Sequence, residues 1–223
     1  MTSRLVLCLG DLFIPDRAPV SPQAPYPICL CNPKLTHRLI ITGHTRKGYP
    51  STSPPPSNRP PPLIPTNTTQ FKALLAPNKI GQTLCLGNLT SASTYNYLRS
   101  ISPDLQIVKG DFDVEAPQLA LSKVVTHGSL RIGFTHGHTI IPPGDADALL
   151  IAARQMDVDV LLWGGTHRFE AYELEGKFFV NPGSATGAMG MGWGWEKDGE
   201  EPVPSFVLMD VSSSALGRWA GLV

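Results

Sequence analysis

The stretch CLGDLFIP, residues 8–15, lies in the first folded segment of the chain and contains its most informative turn. An apolar run ends there in Gly10-Asp11, so an acidic side chain stands where a strand gives way to a loop. Carboxylates at strand ends often begin a metal or phosphate site, because strand ends line the ligand crevice of α/β sheets. Two residues later, where a second ligand would point to the same place, the chain has Phe13. The stretch is therefore either an active site or a former active site with another use.

The same arrangement recurs at four later strand ends. Glycine allows a sharp turn that leaves the next side chain facing into the crevice. A single Gly-Asp after a strand is usually only a turn, but the ordered series is a strong signal of a site. The later strand ends are Gly87-Asn88, Gly110-Asp111, Thr135-His136 and Gly164-Gly165-Thr166-His167. Carboxylate, amide and imidazole groups converging in this way are what a dinuclear metal site requires.

The bulk composition excludes several classes of protein. The chain has 223 residues, enough for one α/β domain or two small ones. Lysine plus arginine equals aspartate plus glutamate at 18 each, so electrostatic capture of nucleic acid is not expected. No run approaches the ~20 apolar residues of a membrane span, so membrane association would be indirect. The four cysteines have no zinc-ribbon or disulfide spacing, which indicates a reducing compartment.

The order of elements predicts one domain interrupted by an insertion. Residues 1–17 and 68–211 are expected to form the domain, with helices at 70–76, 91–101 and 144–156 and hairpins turning at Gly128 and Glu175-Gly176. Strands that alternate with helices, followed by hairpins, favour two packed sheets with helices outside, an α/β fold. Residues 18–67 are rich in proline and are predicted to be a disordered insertion, or alternatively a retained intron in the gene model. Residues 212–223 are expected to be an irregular tail that stops short of a final strand.

The series of strand ends resembles the calcineurin-like metallophosphoesterases. Their motifs run Asp-x-His, Gly-Asp, Gly-Asn-His-Asp, a lone His and Gly-His-x-His, and the resemblance covers the chain outside the insertion and the tail. It implies a two-sheet α/β/β/α sandwich of the metallophosphoesterase type. The motif positions that carry over as vestigial metal ligands are Asp11, Asn88, Asp111, His136 and His167.

The departures from the family pattern argue against catalysis. Phe13 and Gly165 stand where the motifs have metal-binding histidines, and Phe112 stands where they have the catalytic histidine. Asn88 replaces the bridging aspartate, and a neutral amide offsets the repulsion of two metal ions poorly. We therefore expect no catalytic residues and no required cofactor, with at most one weakly bound zinc, manganese or magnesium ion. The alternative is a metal-dependent phosphodiesterase with a degraded site.

Apolar residues beside the vestigial site predict a protein-binding surface. Phe13 and Ile14 follow Asp11, and Ile140 and Ile141 lie on the loop after the His-Gly-His motif. Longer phrases such as HGHTIIPPGD and PSFVLMD resemble a non-catalytic branch of the family, the small scaffold subunits of the retromer coat.

That closer resemblance implies endosome-to-Golgi transport, with direct docking on the large α-solenoid subunit of retromer. Contact with the other retromer subunits and with sorting nexins would be indirect. Regulators would bind a remote apolar patch that includes Leu208. The expected location is the cytoplasm, peripheral on endosome membranes through the complex.

Overall fold

The computed structural model describes residues 3–10, 26–28, 41–43, 80–89, 92–114, 116–185 and 205–212. The sequence predictions for Asp11, Phe13 and Ile14, and for a helix at 70–76, lie outside these residues. The described strands are β1 Ser3–Leu9, β2 Tyr26–Ile28, β3 Ile41–Gly43, β4 Gln82–Cys85, β5 Leu105–Ile107, β6 Ser122–His127, β7 Leu130–Thr135, β8 Val160–Leu162, β9 Phe169–Leu174, β10 Lys177–Pro182 and β11 Val207–Ser212. The described helices are α1 Ala92–Ile101 and α2 Ala146–Gln155.

The first sheet has the strand order β11-β1-β4-β5. β1 pairs parallel with β4 and β4 with β5, while β11 runs antiparallel to β1 with Leu7 opposite Leu208. The run LVLCL in β1 is apolar at every position because both faces of this strand are covered. The parallel core of the sheet therefore brings the carboxyl ends of β1, β4 and β5 to one edge.

The second sheet has the order β6-β7-β8-β10-β9 and carries both predicted hairpins. β7, β8 and β10 are parallel, and β6 and β9 pair antiparallel at the two edges. Glu175 and Gly176 form the two-residue turn between β9 and β10, and both have positive φ, as a type I′ hairpin turn requires. The sequence prediction of a turn at these two residues is confirmed.

The sheets pack face to face with a helix on each outer side. The central cluster joins Val6 and Leu84 of the first sheet to Phe134 and Phe178 of the second. On the outer face of the first sheet, α1 contributes Leu98 and Ile101 to a second cluster, and on the outer face of the other sheet α2 packs around Trp163. The result is the α/β/β/α sandwich expected from the sequence.

Helix α2 begins at a side-chain cap. Asp145 precedes the helix in an extended conformation, and its Oδ1 accepts the backbone N–H of Ala148 at 2.9 Å. Aspartate is a favoured N-cap residue because it satisfies a donor that the first turn leaves without a partner. The cap fixes where the loop that carries Ile140 and Ile141 enters the helix. Of the helices that the structure describes, none is both long and apolar enough to cross a membrane.

The proline-rich segment contains two short strands that the sequence did not predict. β2 and β3 pair antiparallel, with Tyr26 opposite Gly43 and Ile28 opposite Ile41. Runs of three residues are too short to show an alternating pattern, although tyrosine and isoleucine favour strands. The predicted domain boundaries at residues 17, 67 and 211 stay predictions.

Candidate functional site

Two glycine-linked loops meet at the carboxyl edge of the first sheet. Gly87 follows β4 with a φ of +105°, and a Cβ at this position would lie 2.4 Å from the backbone nitrogen of Gly110, which follows β5. Only glycine allows so close an approach of the two backbones. The next residue, Asn88, adopts the left-handed conformation at φ 56°, which asparagine tolerates better than most residues. Its side chain is thereby directed into the crevice.

The side-chain amide of Asn88 lies at the centre of a partly buried polar cluster. Its Oδ1 accepts the backbone N–H of Phe112 at 3.0 Å. Its Nδ2 donates to Oδ1 of Asp111 at 2.9 Å and lies 3.0 Å from Nε2 of His136. The asparagine is only 2% exposed and links three segments of chain, while the side chain of Asp111 is 45% exposed and lies at the mouth of the site.

His136 follows β7 and is also only 2% exposed. Its Nε2 faces the amide of Asn88 and lies 3.5 Å from Oδ1 of Asp111. Its Nδ1 lies 3.1 Å from Nδ1 of His138, whose ring is tilted 57° to its own. The His-Gly-His motif therefore forms a direct contact between its two imidazoles, with one in the crevice and the other at the surface.

Asp113 is a structural part of the site that the sequence prediction missed. Its Oδ2 accepts the backbone N–H groups of Asn88 and Gly110, each at 2.8 Å, and the residue is 7% exposed. One carboxylate oxygen thus holds together the loops that follow β4 and β5. The only sequence signal was its place in GDFD, where it stands at the aspartate position of the family motif.

The structure brings together three of the predicted ligand positions. Asn88, Asp111 and His136 lie within 3.5 Å of one another through the contacts given above. His167 lies on the loop after β8, at the end of the strand next to β7, with a φ of 58°. Asp11 belongs to the part of the chain that the structure does not describe, so its role stays a prediction.

Gly165 occupies a position that faces His136. A Cβ placed there would lie 3.7 Å from Cε1 of the His136 ring. A side chain at this position would therefore start beside the cluster, as the first histidine of the Gly-His-x-His motif is expected to do. This chain has only a hydrogen atom there, so that imidazole is absent from the donor set.

Two exposed apolar residues follow the cluster residues closely in sequence, Phe112 directly after Asp111 and Ile141 three residues after His138. Ile141, on the loop that leads to α2, is 81% exposed, and Phe112 is 44% exposed. Ile140, also predicted to bind a partner, is partly buried against the core around Trp163, and its partner role stays a prediction. Leu208, predicted to form a remote patch, is half-buried against the cluster that α1 covers. Phe112 is a surface residue that the sequence prediction considered only as a lost catalytic histidine.

The described residues by themselves do not assemble a metal site, and the predicted ligand Asp11 lies outside them. No three histidine, cysteine, aspartate or glutamate side chains converge within the described ranges. At the centre of the cluster, where an ion would need a ligand, stands an amide nitrogen that donates hydrogen bonds and has no free lone pair for a metal. Metal sites need several oxygen, nitrogen or sulfur donors around one point.

Fold and site together define the class of protein, and the comparisons with known proteins agree. Residues 66–214 match the calcineurin-like phosphoesterase superfamily domain. Vacuolar protein sorting-associated protein 29 (Vps29) of Schizosaccharomyces pombe is 51% identical over 212 residues, covering 95% of this chain and 87% of that protein. The crystal structure of Chaetomium thermophilum Vps29 has a TM-score of 0.66 and 48% identity, covering 94% of this chain and 85% of that one. The chain belongs to the calcineurin-like phosphoesterase superfamily and, within it, to the Vps29 family.

One further relative shows whether a member of the family can bind a metal ion. The Vps29 of Entamoeba histolytica was solved in complex with zinc, and it matches with a TM-score of 0.62 and 33% identity over 92% of this chain and 84% of that one. Zinc binding is therefore compatible with the fold of the family. For the present chain, the weakly bound ion expected from the sequence stays a prediction, because Asp11 lies outside the described residues.

Proposed function

We propose that this chain is a non-catalytic scaffold subunit of the retromer cargo-recognition complex. It acts in endosome-to-Golgi retrograde protein transport by docking on the large α-solenoid subunit. The observation that carries the proposal is the exposed side chain of Ile141, on the loop that follows the His-Gly-His motif. Phe112, at the position of the catalytic histidine of the family motif, is also exposed. Membership of the family named for vacuolar protein sorting supports it.

The energetics of the loop favour a docking role. Burying an exposed isoleucine side chain contributes about 1.5–3 kcal/mol, and an aromatic neighbour adds a larger apolar area. The loop that presents Ile141 is held at one end by the packing of Ile140 and at the other by the Asp145 cap. A surface fixed in this way loses little conformational freedom when it binds a partner.

The chemistry of the crevice supports a non-catalytic role. Two-metal hydrolysis needs a carboxylate between the ions and an acid or imidazole near the leaving group. Here the first position is the amide of Asn88 and the second is Phe112, whose ring neither binds metal nor transfers a proton. His136 and Asp111 are both engaged with Asn88.

The remaining contacts of the complex follow from the same proposal. The other retromer subunits and the sorting nexins would be reached through the large subunit, and the endosome membrane only through the assembled complex. Regulators would bind the patch near Leu208 on β11, on the sheet face away from the second sheet. A formal net charge of zero gives no support for nucleic acid as a partner.

The test is a pull-down of the tagged chain from lysate of its own cells, identified by mass spectrometry. Wild type is compared with Ile141→Asp and with the matched control Ile151→Asp, which makes the same change at a 55% exposed isoleucine of α2. A carboxylate at position 141 would be buried without a partner in an apolar contact. The large subunit should be recovered with wild type and Ile151→Asp and lost with Ile141→Asp. Equal recovery with all three proteins would show that Ile141 does not dock.

A further inference from the structure

The loop of residues 137–144, between β7 and α2, packs on the residues that follow β8. Its start is held by backbone contact, because a Cβ at Gly137 would lie only 2.7 Å from the carbonyl oxygen of Gly164. Its end is held by an aromatic ring, because a Cβ at Gly144 would lie 3.3 Å from Cη2 and 3.5 Å from Cζ3 of Trp163. Ile141, which is 81% exposed, lies between these two anchors in the chain.

We propose that Trp163 is a positioning residue, which holds the 137–144 loop in the conformation that presents Ile141 to the large retromer subunit. The inference rests on the proposed function, because it assigns a task within the same docking surface. Trp163 is itself only 1% exposed, so it acts on a partner through the loop and not by direct contact. The side chain of Ile140 strengthens the link, since it packs against the core cluster to which Trp163 belongs.

The indole of Trp163 carries a penalty that a purely structural core residue would avoid. Its Nε1–H is buried and has no hydrogen-bond partner in the described part of the chain. A buried donor without an acceptor costs about 1–3 kcal/mol, and most buried polar groups are paired. Phenylalanine would bring no such donor, but its shorter side chain lacks Cη2 and Cζ3, the two atoms that meet Gly144. The feature that distinguishes tryptophan here is therefore its contact with the loop.

Hydrogen bonds within the loop have a different task from the contact with Trp163. The backbone N–H of Ile140 donates to the carbonyl of Gly137 at 3.0 Å, and that of Asp145 donates to the carbonyl of Pro142 at 3.3 Å. These bonds fix the internal shape of the loop, whereas the contact with Trp163 fixes its place on the sheet. A surface held in its binding conformation loses less conformational freedom on association. Removing the anchor should therefore weaken binding although no contact with the partner changes.

The experiment measures Tm and the affinity for the purified large subunit in full-length wild type, Trp163→Phe and Phe179→Leu. Phe179 is buried in the same core cluster but stacks on Tyr172 of β9, with ring centroids 5.3 Å apart, so it controls for a general loss of packing. Trp163→Phe should weaken binding about fivefold, the factor expected when the loop keeps its docking conformation about a fifth of the time. Phe179→Leu should bind like wild type although its Tm falls.

The binding data separate this inference from the proposed function. If Trp163→Phe bound as tightly as wild type while Ile141→Asp lost binding, the positioning role would be overturned and the docking role would stand. Losses of affinity that followed the losses of Tm in both aromatic variants would also overturn it, because Trp163 would then act only through global stability. Failure of wild type itself to bind the large subunit would contradict the proposed function.

A second measurement tests the positioning role without any partner. Nitrogen-15 relaxation of the backbone amide of Ile141 reports the mobility of the loop in each of the three proteins. Mobility at Ile141 should rise in Trp163→Phe and stay at the wild-type level in Phe179→Leu. An equally rigid loop in Trp163→Phe and wild type would contradict the inference, whatever the outcome of the binding experiment.

Discussion

The carboxylate of Asp113 accepts the backbone N–H of Asn88 at 2.8 Å, and the same oxygen accepts the N–H of Gly110. A single buried side chain thus positions the residue on which the whole crevice is centred. The polar cluster around Asn88 is built on this contact.

Replacing Asp113 with alanine should lower the free energy of unfolding by about 2–4 kcal/mol, because two buried N–H groups lose their acceptor. Chemical denaturation of both proteins measures this difference. Asp113→Asn keeps an acceptor oxygen in a side chain of the same size, so its free energy of unfolding should fall clearly less. Equal losses for alanine and asparagine would show that the hydrogen bonds are not what the carboxylate contributes.

Replacing Phe112 with alanine should weaken binding to the large retromer subunit about tenfold, since truncating a central interface aromatic often costs more than ~1 kcal/mol. Its side chain is 44% exposed, so the Tm should change little. Titration calorimetry and thermal unfolding separate the two effects. Val124→Ala, at an exposed position of the edge strand β6, serves as the control. Unchanged affinity on loss of Phe112 would exclude it from the docking surface.

The contacts of Asp104 predict how the stability of the protein changes in acid. Burial alone would raise the pKa of this carboxyl, but hydrogen bonds from Gln106 and Gln82, together with the charge of Arg4 at 2.8 Å, lower it below its usual value of 3.8. A group with a depressed folded-state pKa stabilises the protein above its unfolded pKa and loses that contribution as the pH falls through the folded value. Asp104→Asn should therefore cost about 1 kcal/mol at pH above about 5, and the difference should shrink in stronger acid.

Asp157→Asn is the matched control for this pH dependence. Asp157 also faces an arginine, Arg131 at 3.5 Å, but its side chain is 83% exposed. Solvent screens such a pair, so the variant should differ little from wild type at any pH. Denaturation curves collected over a pH series measure both variants. If the difference in free energy of unfolding between wild type and Asp104→Asn grew in acid, the lowered pKa of Asp104 would be contradicted.

The crevice should not hydrolyse phosphodiesters. With manganese and an activated aryl phosphodiester, wild type should show no turnover above that of His136→Ala, because the bridging carboxylate and the catalytic imidazole of the family motif are absent. The comparison with His136→Ala removes any contribution from contaminating enzymes. Turnover that His136→Ala abolishes would favour the phosphodiesterase alternative.

The sequence predicted the layers of the fold because its apolar runs and glycine turns are local signals. The strand before Asn88, the helix that ends at Ile101 and the turn at Gly176 all lie where their patterns indicate. The convergence of Asn88 and Asp111 was also predictable, because they follow the parallel strands β4 and β5, whose carboxyl ends meet at one edge of the first sheet. His136 follows β7 of the second sheet, so its approach to them depends on how the two sheets pack.

Other features depend on contacts that no local pattern contains. The orientation of the Asn88 amide depends on the backbone N–H of Phe112, which lies on another loop. The role of Asp113 depends on the close approach of Gly87 and Gly110. The inward packing of Ile140 beside the exposed Ile141 likewise follows from the position of Trp163 in the core.

The most direct test of the account is a titration of the purified large retromer subunit into this chain, carried out once in chelator and once in zinc. The account predicts one-to-one binding of equal affinity in both, lost with Ile141→Asp and kept with Ile151→Asp. Binding that appears only with zinc, or that survives Ile141→Asp unchanged, would contradict the claim that the crevice is a metal-independent docking surface.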